Sequence, residues 1–365
     1  MTASKVGSMQ APAPRLAQDI WGQSAALVGV LQYHKGAGRA PLLQAAAALR
    51  SSKKIVIVGI GASLNGAIPL ENLLCSRGFD AVTIEAGELL HYRLGAYRNA
   101  TFVLVSRSGE SVEILKALDA LRGQVATIGV TNEPDSRLAR QADMAIHLHS
   151  PADEMVAIQT HTATILSLYM LGAVATDQWD QAQRDIGAMV ETLPAWIAGN
   201  LESARQWDQF LEKDSTVYAL GRGPSHGSAL QSALLFSEVA KAPAIGMAVA
   251  SFRHGPVEVV DDRFRGLIFA PQGKTRELNL ALARELLRFG GSVRVIGPPL
   301  EQGTDLPWIG TPPCPEMLAP LVEIVPVQVA ALRLAQLRQI VPGSFRFTPQ
   351  VARDETRIAA APEAT

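Results

Sequence analysis

The chain has 365 residues, of which 48% are hydrophobic and 18% are charged, enough for a large core and more than one domain. The net charge is −1 and no polycationic run is present, so we expect no nucleic-acid partner and no membrane partner. Two cysteines, Cys75 and Cys314, make neither a disulfide framework nor a metal site. Residues 1–14 lack the apolar segment of a signal peptide, and no window reaches the length of a membrane span, so we predict a cytoplasmic protein.

The predicted elements begin with a disordered stretch of about 15 residues, followed by helical patterns over residues 15–31 and 42–49. From Lys53 onward, short apolar strands alternate with helices. This alternation is typical of a parallel sheet with helices on both faces. The strands predicted in this half are 55–58, 82–85, 102–105, 126–130 and 144–148, and a helical run over 156–201 follows them.

The second half of the chain nearly repeats the first. A strand over 216–220 leads into Gly221-Arg222-Gly223-Pro224-Ser225, as strand 55–58 leads into Gly59-Ile60-Gly61-Ala62-Ser63. Two copies of one α/β unit are therefore predicted. The further elements of the second copy are a helix over 228–241, a strand over 266–270, a helix over 278–289, a strand over 293–296 and a helix over 318–337. The predicted division is an N-terminal segment with a helical arm (1–45), a first domain (46–200), a second domain (201–345) and a tail (346–365).

A hydroxyl-rich loop, Ser106-Arg107-Ser108-Gly109-Glu110-Ser111, joins an apolar strand to the helix predicted over 112–121. Its three hydroxyls lie beside backbone N–H groups at a helix N-terminus, where the helix dipole favours an anion. The loop has too few glycines and no Gly-Lys-Ser/Thr ending for a nucleotide triphosphate, so a sugar phosphate fits better. The alternative interpretation is that the serines only cap the helix.

The earlier loop supports the phosphate interpretation. Gly59 and Gly61 would let the backbone approach a ligand closely, and the Ser63 hydroxyl would point toward the later serines if the two strands are neighbours in one sheet. The dinucleotide form of this motif is incomplete, because Leu64 stands where its third glycine would be.

Two further residues are candidates for catalysis. Glu238 is a carboxylate in a largely apolar helix, where burial would raise its pKa toward that of a useful base. His254 precedes Gly255-Pro256 in a turn context that can hold an imidazole at a loop tip. The alternative is a solvent-facing Glu and an isolated His. The histidines show no metal-ligand spacing, and the pair His147 and His149 is interpreted as structural, so no metal is predicted.

In this combination of motifs the chain resembles the double SIS-domain (sugar isomerase) family, which includes phosphosugar isomerases, aminosugar-phosphate deaminases and deglycases. The resemblance covers about residues 15–340 and implies tandem SIS domains, each a three-layer α/β/α sandwich with a mainly parallel, flavodoxin-like sheet. It further implies that Glu238 moves a proton between C1 and C2, without a cofactor. His254 would assist ring opening from the neighbouring subunit, so that the sites lie at the interface of a homodimer. The residues implied to bind the phosphosugar are Gly61, Ala62, Ser63, Ser106, Arg107, Ser108, Ser111, Ala157 and Gln159.

Departures from the family pattern leave the reaction open. Leu235 and Gln350 stand where synthase-like members carry lysines, and no glutaminase domain precedes residue 15, so glutamine-dependent amination is not expected. The prediction is an isomerase or an aminosugar-phosphate deaminase acting on a hexose or aminohexose 6-phosphate. The alternatives are a deglycase of a phosphorylated fructosyl amino acid and a non-catalytic sugar-phosphate sensor. Sensors of this type carry a DNA-binding module ahead of the first strand. The residues before the first strand are not basic, which favours an enzyme.

Overall fold

The computed structural model describes residues 14–211, 216–299, 305–347 and 351–356. The disorder predicted over the first 15 residues, and most of the predicted tail, therefore lie outside the described residues. The strands are β1 (Ile55–Gly59), β2 (Ala81–Glu85), β3 (Thr101–Val105), β4 (Thr127–Thr131), β5 (Met144–His147), β6 (Val217–Gly221), β7 (Ala244–Ala248), β8 (Arg265–Phe269), β9 (Ser292–Gly297) and β10 (Trp308–Gly310).

Helices cover both faces of the sheets and also form an N-terminal arm. They are α1 (Arg15–Lys35), α2 (Arg39–Ser51), α3 (Ala62–Ser76), α4 (Ala86–Glu88), α5 (Val112–Leu121), α6 (Arg137–Gln141), α7 (Gln159–Ala175), α8 (Trp179–Glu202), α9 (Asp208–Leu211), α10 (Pro224–Ala240), α11 (Val249–Arg253), α12 (Arg276–Arg288) and α13 (Ala319–Leu337).

The strands form two five-stranded sheets, and every pairing in them is parallel. The first has the order β2-β1-β3-β4-β5. The second, β7-β6-β8-β9-β10, repeats that order with its own strands. This is the flavodoxin-like 2-1-3-4-5 arrangement, in which ligands bind beyond the carboxyl ends of the first and third strands. The predicted α/β class is thus confirmed, with two parallel sheets of the same strand order.

The central strands form because their residues are apolar on both faces. The segments Ile-Val-Ile-Val-Gly of β1 and Thr-Phe-Val-Leu-Val of β3 are buried at every position, as expected for a sheet covered by helices. Two strands were not predicted: β7, of sequence Ala-Ile-Gly-Met-Ala, and the three-residue β10. The helical run predicted over 156–201 is two helices, which separate at Asp177, a residue with a positive φ of 56°.

Helices α3 and α10 pack directly against each other between the two sheets. A Cβ added to Gly227 of α10 would lie 2.4 Å from the backbone oxygen of Asn65 in α3, so the close approach requires glycine. On its other side α10 contacts α13, where the buried carboxylate of Glu323 accepts hydrogen bonds from Ser225 (3.1 Å) and Ser228 (2.6 Å). One core cluster runs through both sheets, and the two units are therefore joined by a continuous interior.

The last long helix is more apolar than expected from the sequence. The segment Glu316–Leu337, with 22 residues, is long and apolar enough to cross a membrane by length and composition, so the expectation that no window reaches that length was wrong. In the fold, 89% of its apolar window is buried among the other helices. Its composition is accounted for by its place in the core.

Candidate functional site

A cavity of about 400 Å³ opens at the carboxyl ends of β1 and β3, the point where the strand order reverses. We call it the serine cavity. It brings together most of the predicted site residues, from both halves of the chain. Its lining residues are Ile60, Gly61, Ala62, Ser63, Arg107, Ser108, Ser111, Glu113, Met155, Val156, Ala157, Leu234, Glu238, Phe345, Val351 and Ala352.

The loop after β1 turns sharply into α3. Gly61 adopts φ 52° and ψ −127°, a conformation that L side chains rarely take. Behind the loop, the Nδ1 atom of the buried His161 contacts the carbonyl oxygen of Ala62 at 3.1 Å. Burial lowers the pKa of His161 to about 4, so the ring is neutral near pH 7 and donates its Nδ1–H to that oxygen. His161 therefore supports the loop rather than binding an anion directly.

The loop after β3 holds its serines in different roles. The hydroxyl of Ser106 is buried, lies 3.1 Å from that of Ser111, and accepts the N–H of Gly109 at 3.2 Å. Ser106 therefore shapes the loop and does not line the serine cavity. Ser108 accepts the N–H of Glu110 at 3.2 Å and lines the cavity together with Ser111. Although Ser111 is the N-cap of α5, its side chain makes no capping bond, so simple helix capping does not account for it.

The segment before α7 forms a third wall and is organised by Asp153. This buried carboxylate accepts the backbone N–H groups of Ile158, Gln159 and Thr160 at 2.8–3.1 Å. The turn that results places Ala157, one of the predicted phosphosugar-binding residues, against the cavity. Gln159 lies elsewhere: its buried side chain donates to Asp19 of α1 at 3.3 Å and is not among the cavity residues. The sugar contact expected of Gln159 is therefore not supported, because its side chain is taken up by the packing of α7 on α1.

Glu238 reaches the serine cavity from α10, in the second half of the chain. Burial raises the pKa of its carboxyl group, and the positive charges of Lys241 and Arg107 partly oppose that rise. Lys241 caps the end of α10 and donates to the backbone oxygen of Glu238. A half-buried carboxylate with a raised pKa beside a polar loop is suited to accept a proton from carbon.

His254 is not part of this cavity. It is exposed at the end of α11, and Gly255 follows it with a φ of 126°. The predicted loop-tip position is correct, but within one chain the imidazole does not line the serine cavity. Leu235, at the position of one missing family lysine, is fully buried in the core, and Gln350 lies outside the described residues.

Several lining residues were not predicted. Leu234 lies one helical turn before Glu238, and this i, i+4 spacing could have indicated it. Glu113 follows Ser111 by two residues, and its Oε2 atom is buried without a hydrogen-bond partner among the described residues. The tail also contributes, since Ala352 accepts the N–H of Val112 at 3.1 Å and covers the start of α5. No local sequence signal places the tail there.

Across the described ranges, no group of three or more His, Cys, Asp or Glu side chains is arranged to hold a metal ion. His147 and His149 instead lie against Tyr33, with the ring of His149 stacked on it at 4.5 Å. These contacts fit the structural interpretation of the pair.

Residues 48–175, which hold the first sheet and both loops of the serine cavity, match the family model described as SIS domain. This part of the chain is therefore similar to SIS domains. The family model matches this one segment, whereas the second sheet repeats the strand order of the first without a match of its own.

The chain is also similar to curated relatives and to solved structures. The chain is 27% identical over 294 residues to glutamine–fructose-6-phosphate aminotransferase [isomerizing] of Pyrococcus horikoshii, an alignment that covers 78% of this chain and 49% of the relative. The chain thus spans about half the length of the curated relatives it matches. The C-terminal domain of glucosamine-fructose-6-phosphate aminotransferase from Francisella tularensis superposes with a TM-score of 0.77 at 21% identity, covering 93% of this chain and 98% of that one.

A third likeness is to glucosamine-6-phosphate deaminase of Thermotoga maritima. The TM-score is 0.70 at 22% identity, and the match covers 89% of this chain and 95% of the other. At this identity the likeness concerns the fold. That fold extends over both sheets, including the second, which the family model does not match.

Proposed function

We propose that the chain is a phosphosugar enzyme, an aldose–ketose isomerase or an aminosugar-phosphate deaminase that acts on a hexose or aminohexose 6-phosphate. The observation that carries the proposal is the serine cavity. It places Ser63, Ser108 and Ser111, at the N-termini of two helices, in one space with a carboxylate of raised pKa. The names of the relatives, an isomerizing aminotransferase and a deaminase, support the same substrate class.

In the proposed reaction the phosphate binds the two loops, where hydroxyl groups, Arg107 and helix N-termini supply donors and positive charge. The C1–C2 end of the open sugar then faces Glu238. The carboxylate removes a proton from one carbon while the carbonyl oxygen takes up a proton, giving an enediol or enaminol. The carboxyl group then returns its proton to the neighbouring carbon as the second oxygen or nitrogen loses its own. From an aminosugar this gives an imine, which water hydrolyses to the ketose phosphate and ammonia. Leu234 and Phe345 supply apolar walls that limit water at this step.

We further infer that His254 acts in the cavity of a second copy, because it is exposed and does not line the cavity of its own chain. A homodimer would then be needed for a complete site. Mixing inactive Glu238→Gln protein with inactive His254→Ala protein tests this inference. Partial recovery of activity in the mixture is expected, and its absence would contradict a shared site.

A sensor that binds the sugar phosphate without turnover is the second candidate, favoured by the buried Leu235 where the family carries an amine. One experiment separates the two. The protein is incubated in D₂O with hexose 6-phosphates, glucosamine 6-phosphate and 6-phosphofructosyl amino acids, and isomer, ammonia, free amino acid and deuterium incorporation are followed by NMR. Turnover of a phosphorylated compound but not of its unphosphorylated counterpart supports the enzyme. Binding without turnover supports the sensor, and no binding contradicts both.

A further inference from the structure

A second cavity, of about 530 Å³, lies at the carboxyl ends of β2, β6 and β7, between the two units. We call it the arginine cavity. It shares no residue with the serine cavity. Its polar lining comes from α3, β2 and the start of α10, and consists of Glu71, Asn72, Thr83, Glu85, Arg222 and His226.

The arginine cavity is the counterpart of the serine cavity in the second unit. Gly223, which precedes α10, adopts φ 53° and ψ −131°, almost the angles of Gly61 before α3. A Cβ on Gly61 would meet Leu234 at 3.8 Å, and a Cβ on Gly223 would meet Asn72 at 3.7 Å. Leu234 lies eleven positions after Gly223, and Asn72 eleven after Gly61. The two units therefore make reciprocal contacts, and each cavity has a loop from one unit and a helix from the other.

The guanidinium group of Arg222 lines the arginine cavity without an ion-pair partner among the described residues. Arg222 uses its Nε–H to bind the side-chain oxygen of Asn279 at 3.1 Å. Burial and the nearby charge of Arg253 lower its pKa. Within the described ranges neither arginine forms an ion pair. A guanidinium group that lines a cavity without forming an ion pair is able to bind an anion there.

Two acidic residues, Glu71 of α3 and Glu85 of β2, line the same cavity. Glu71 accepts the N–H of Thr83 at 3.0 Å and Glu85 accepts that of Glu88 at 2.8 Å, each through one oxygen. Neither carboxylate is in an ion pair with a lysine or arginine of the described chain. The Thr83 hydroxyl oxygen is buried and has no hydrogen-bond partner among the described residues. These groups offer acceptors to the hydroxyl or ammonium groups of a ligand.

We propose that the arginine cavity is a second ligand site, which binds a small phosphorylated sugar. Its phosphate lies toward Arg222 and the N-terminus of the 17-residue α10, and its hydroxyl or amino groups lie toward Glu71 and Glu85. The proposal goes beyond the proposed function and does not require turnover in the serine cavity.

The same two helices connect the sites. The start of α3 lines the serine cavity and its third turn, at Glu71 and Asn72, lines the arginine cavity; α10 begins in the arginine cavity and presents Leu234 and Glu238 to the serine cavity.

The test is calorimetric titration of the full chain with glucosamine 6-phosphate and with inorganic phosphate. The variants are Ser108→Ala for the serine cavity and Arg222→Gln for the arginine cavity, with Arg263→Gln as the matched control. Arg263 is an exposed arginine that pairs with Asp261 and lines neither cavity. Thermal unfolding of each variant checks the fold. If Arg222→Gln does not fold, Thr83→Val replaces it, since the Thr83 hydroxyl has no partner to lose.

Two equivalents of glucosamine 6-phosphate are expected per chain for wild type and Arg263→Gln. Each cavity variant should weaken one equivalent about tenfold or more and leave the other. One equivalent that is lost in Ser108→Ala and unchanged in Arg222→Gln overturns the second site and leaves the proposed function standing. One equivalent that is lost in Arg222→Gln and unchanged in Ser108→Ala supports the arginine cavity and contradicts the serine cavity. No binding, or two equivalents that survive Arg222→Gln, also overturns the second site.

Discussion

Gly61 and Gly223 provide a matched pair of substitutions that separates loop strain from function. Both glycines have φ near 52° and ψ near −130°, where an alanine costs on the order of 1–3 kcal/mol. The added Cβ would meet its first neighbour at 3.8 Å in one case and 3.7 Å in the other, which are ordinary contacts. Backbone strain rather than overlap therefore sets the cost. Gly61→Ala and Gly223→Ala should lower the free energy of unfolding by similar amounts, measured by urea denaturation.

The two variants should differ in the serine cavity. Gly61 lines it and positions the N-terminus of α3, whereas Gly223 lines the arginine cavity. We expect Gly61→Ala to weaken phosphosugar binding in the serine cavity about tenfold, since the loop must move to relieve its strain, and Gly223→Ala to leave that binding within about twofold. Equal losses in both variants, or a loss in Gly223→Ala alone, would refute the role given to the first loop.

Three further predictions concern single side chains. Ser108→Ala should weaken phosphosugar binding by roughly 1–3 kcal/mol, the size of a hydrogen bond to a charged group. The control Ser237→Ala, on the exposed side of α10, should leave binding unchanged. Calorimetry measures both affinities. Glu238 must be ionised to act and burial raises its pKa, so turnover should fall with decreasing pH before pH 4.5 is reached. Profiles of kcat/KM against pH would show this fall. A flat profile above pH 4.5 would argue against Glu238 as the base. Burial raises the pKa of Glu323 from 4.5 to about 7, so its contribution to stability is lost as pH rises from about 4.5 to 7, by roughly 3 kcal/mol. In Glu323→Gln, the free energy of unfolding measured by urea denaturation should lack that part of the pH dependence. An unchanged pH dependence would contradict the raised pKa of Glu323.

The fold could be predicted from the sequence where the residue types indicate which segments are buried. Strands such as β1 and β3 are continuous apolar runs that end in small polar loops, and both features have local causes. The strand β7 escaped notice because Ala244 to Ala248 contain one β-branched residue and a glycine, so that pairing with β6 rather than intrinsic preference makes them a strand. The three-residue β10 is too short for any periodicity to show.

Only those parts of the candidate site that follow from local sequence patterns could be predicted. The loops at Ser63 and Ser108 follow from strand–loop–helix patterns. The meeting of Glu238 with them depends on the packing of α10 against α3, a tertiary contact. Gln159 was misplaced because its neighbour in space, Asp19, is distant in sequence. The cover provided by Ala352 depends on one backbone hydrogen bond from the tail to α5, which no residue pattern encodes.

Glu238 is the proposed base, and the serine cavity contains a second carboxylate, Glu113, that serves as its control. We would measure turnover of the phosphosugar panel in D₂O by NMR for wild type, Glu238→Gln and Glu113→Gln, with binding followed by calorimetry. The expected result is that Glu238→Gln binds phosphosugar but forms no isomer, ammonia or deuterated sugar, while Glu113→Gln retains turnover. Turnover that survives in Glu238→Gln, or is abolished only in Glu113→Gln, would contradict the claim.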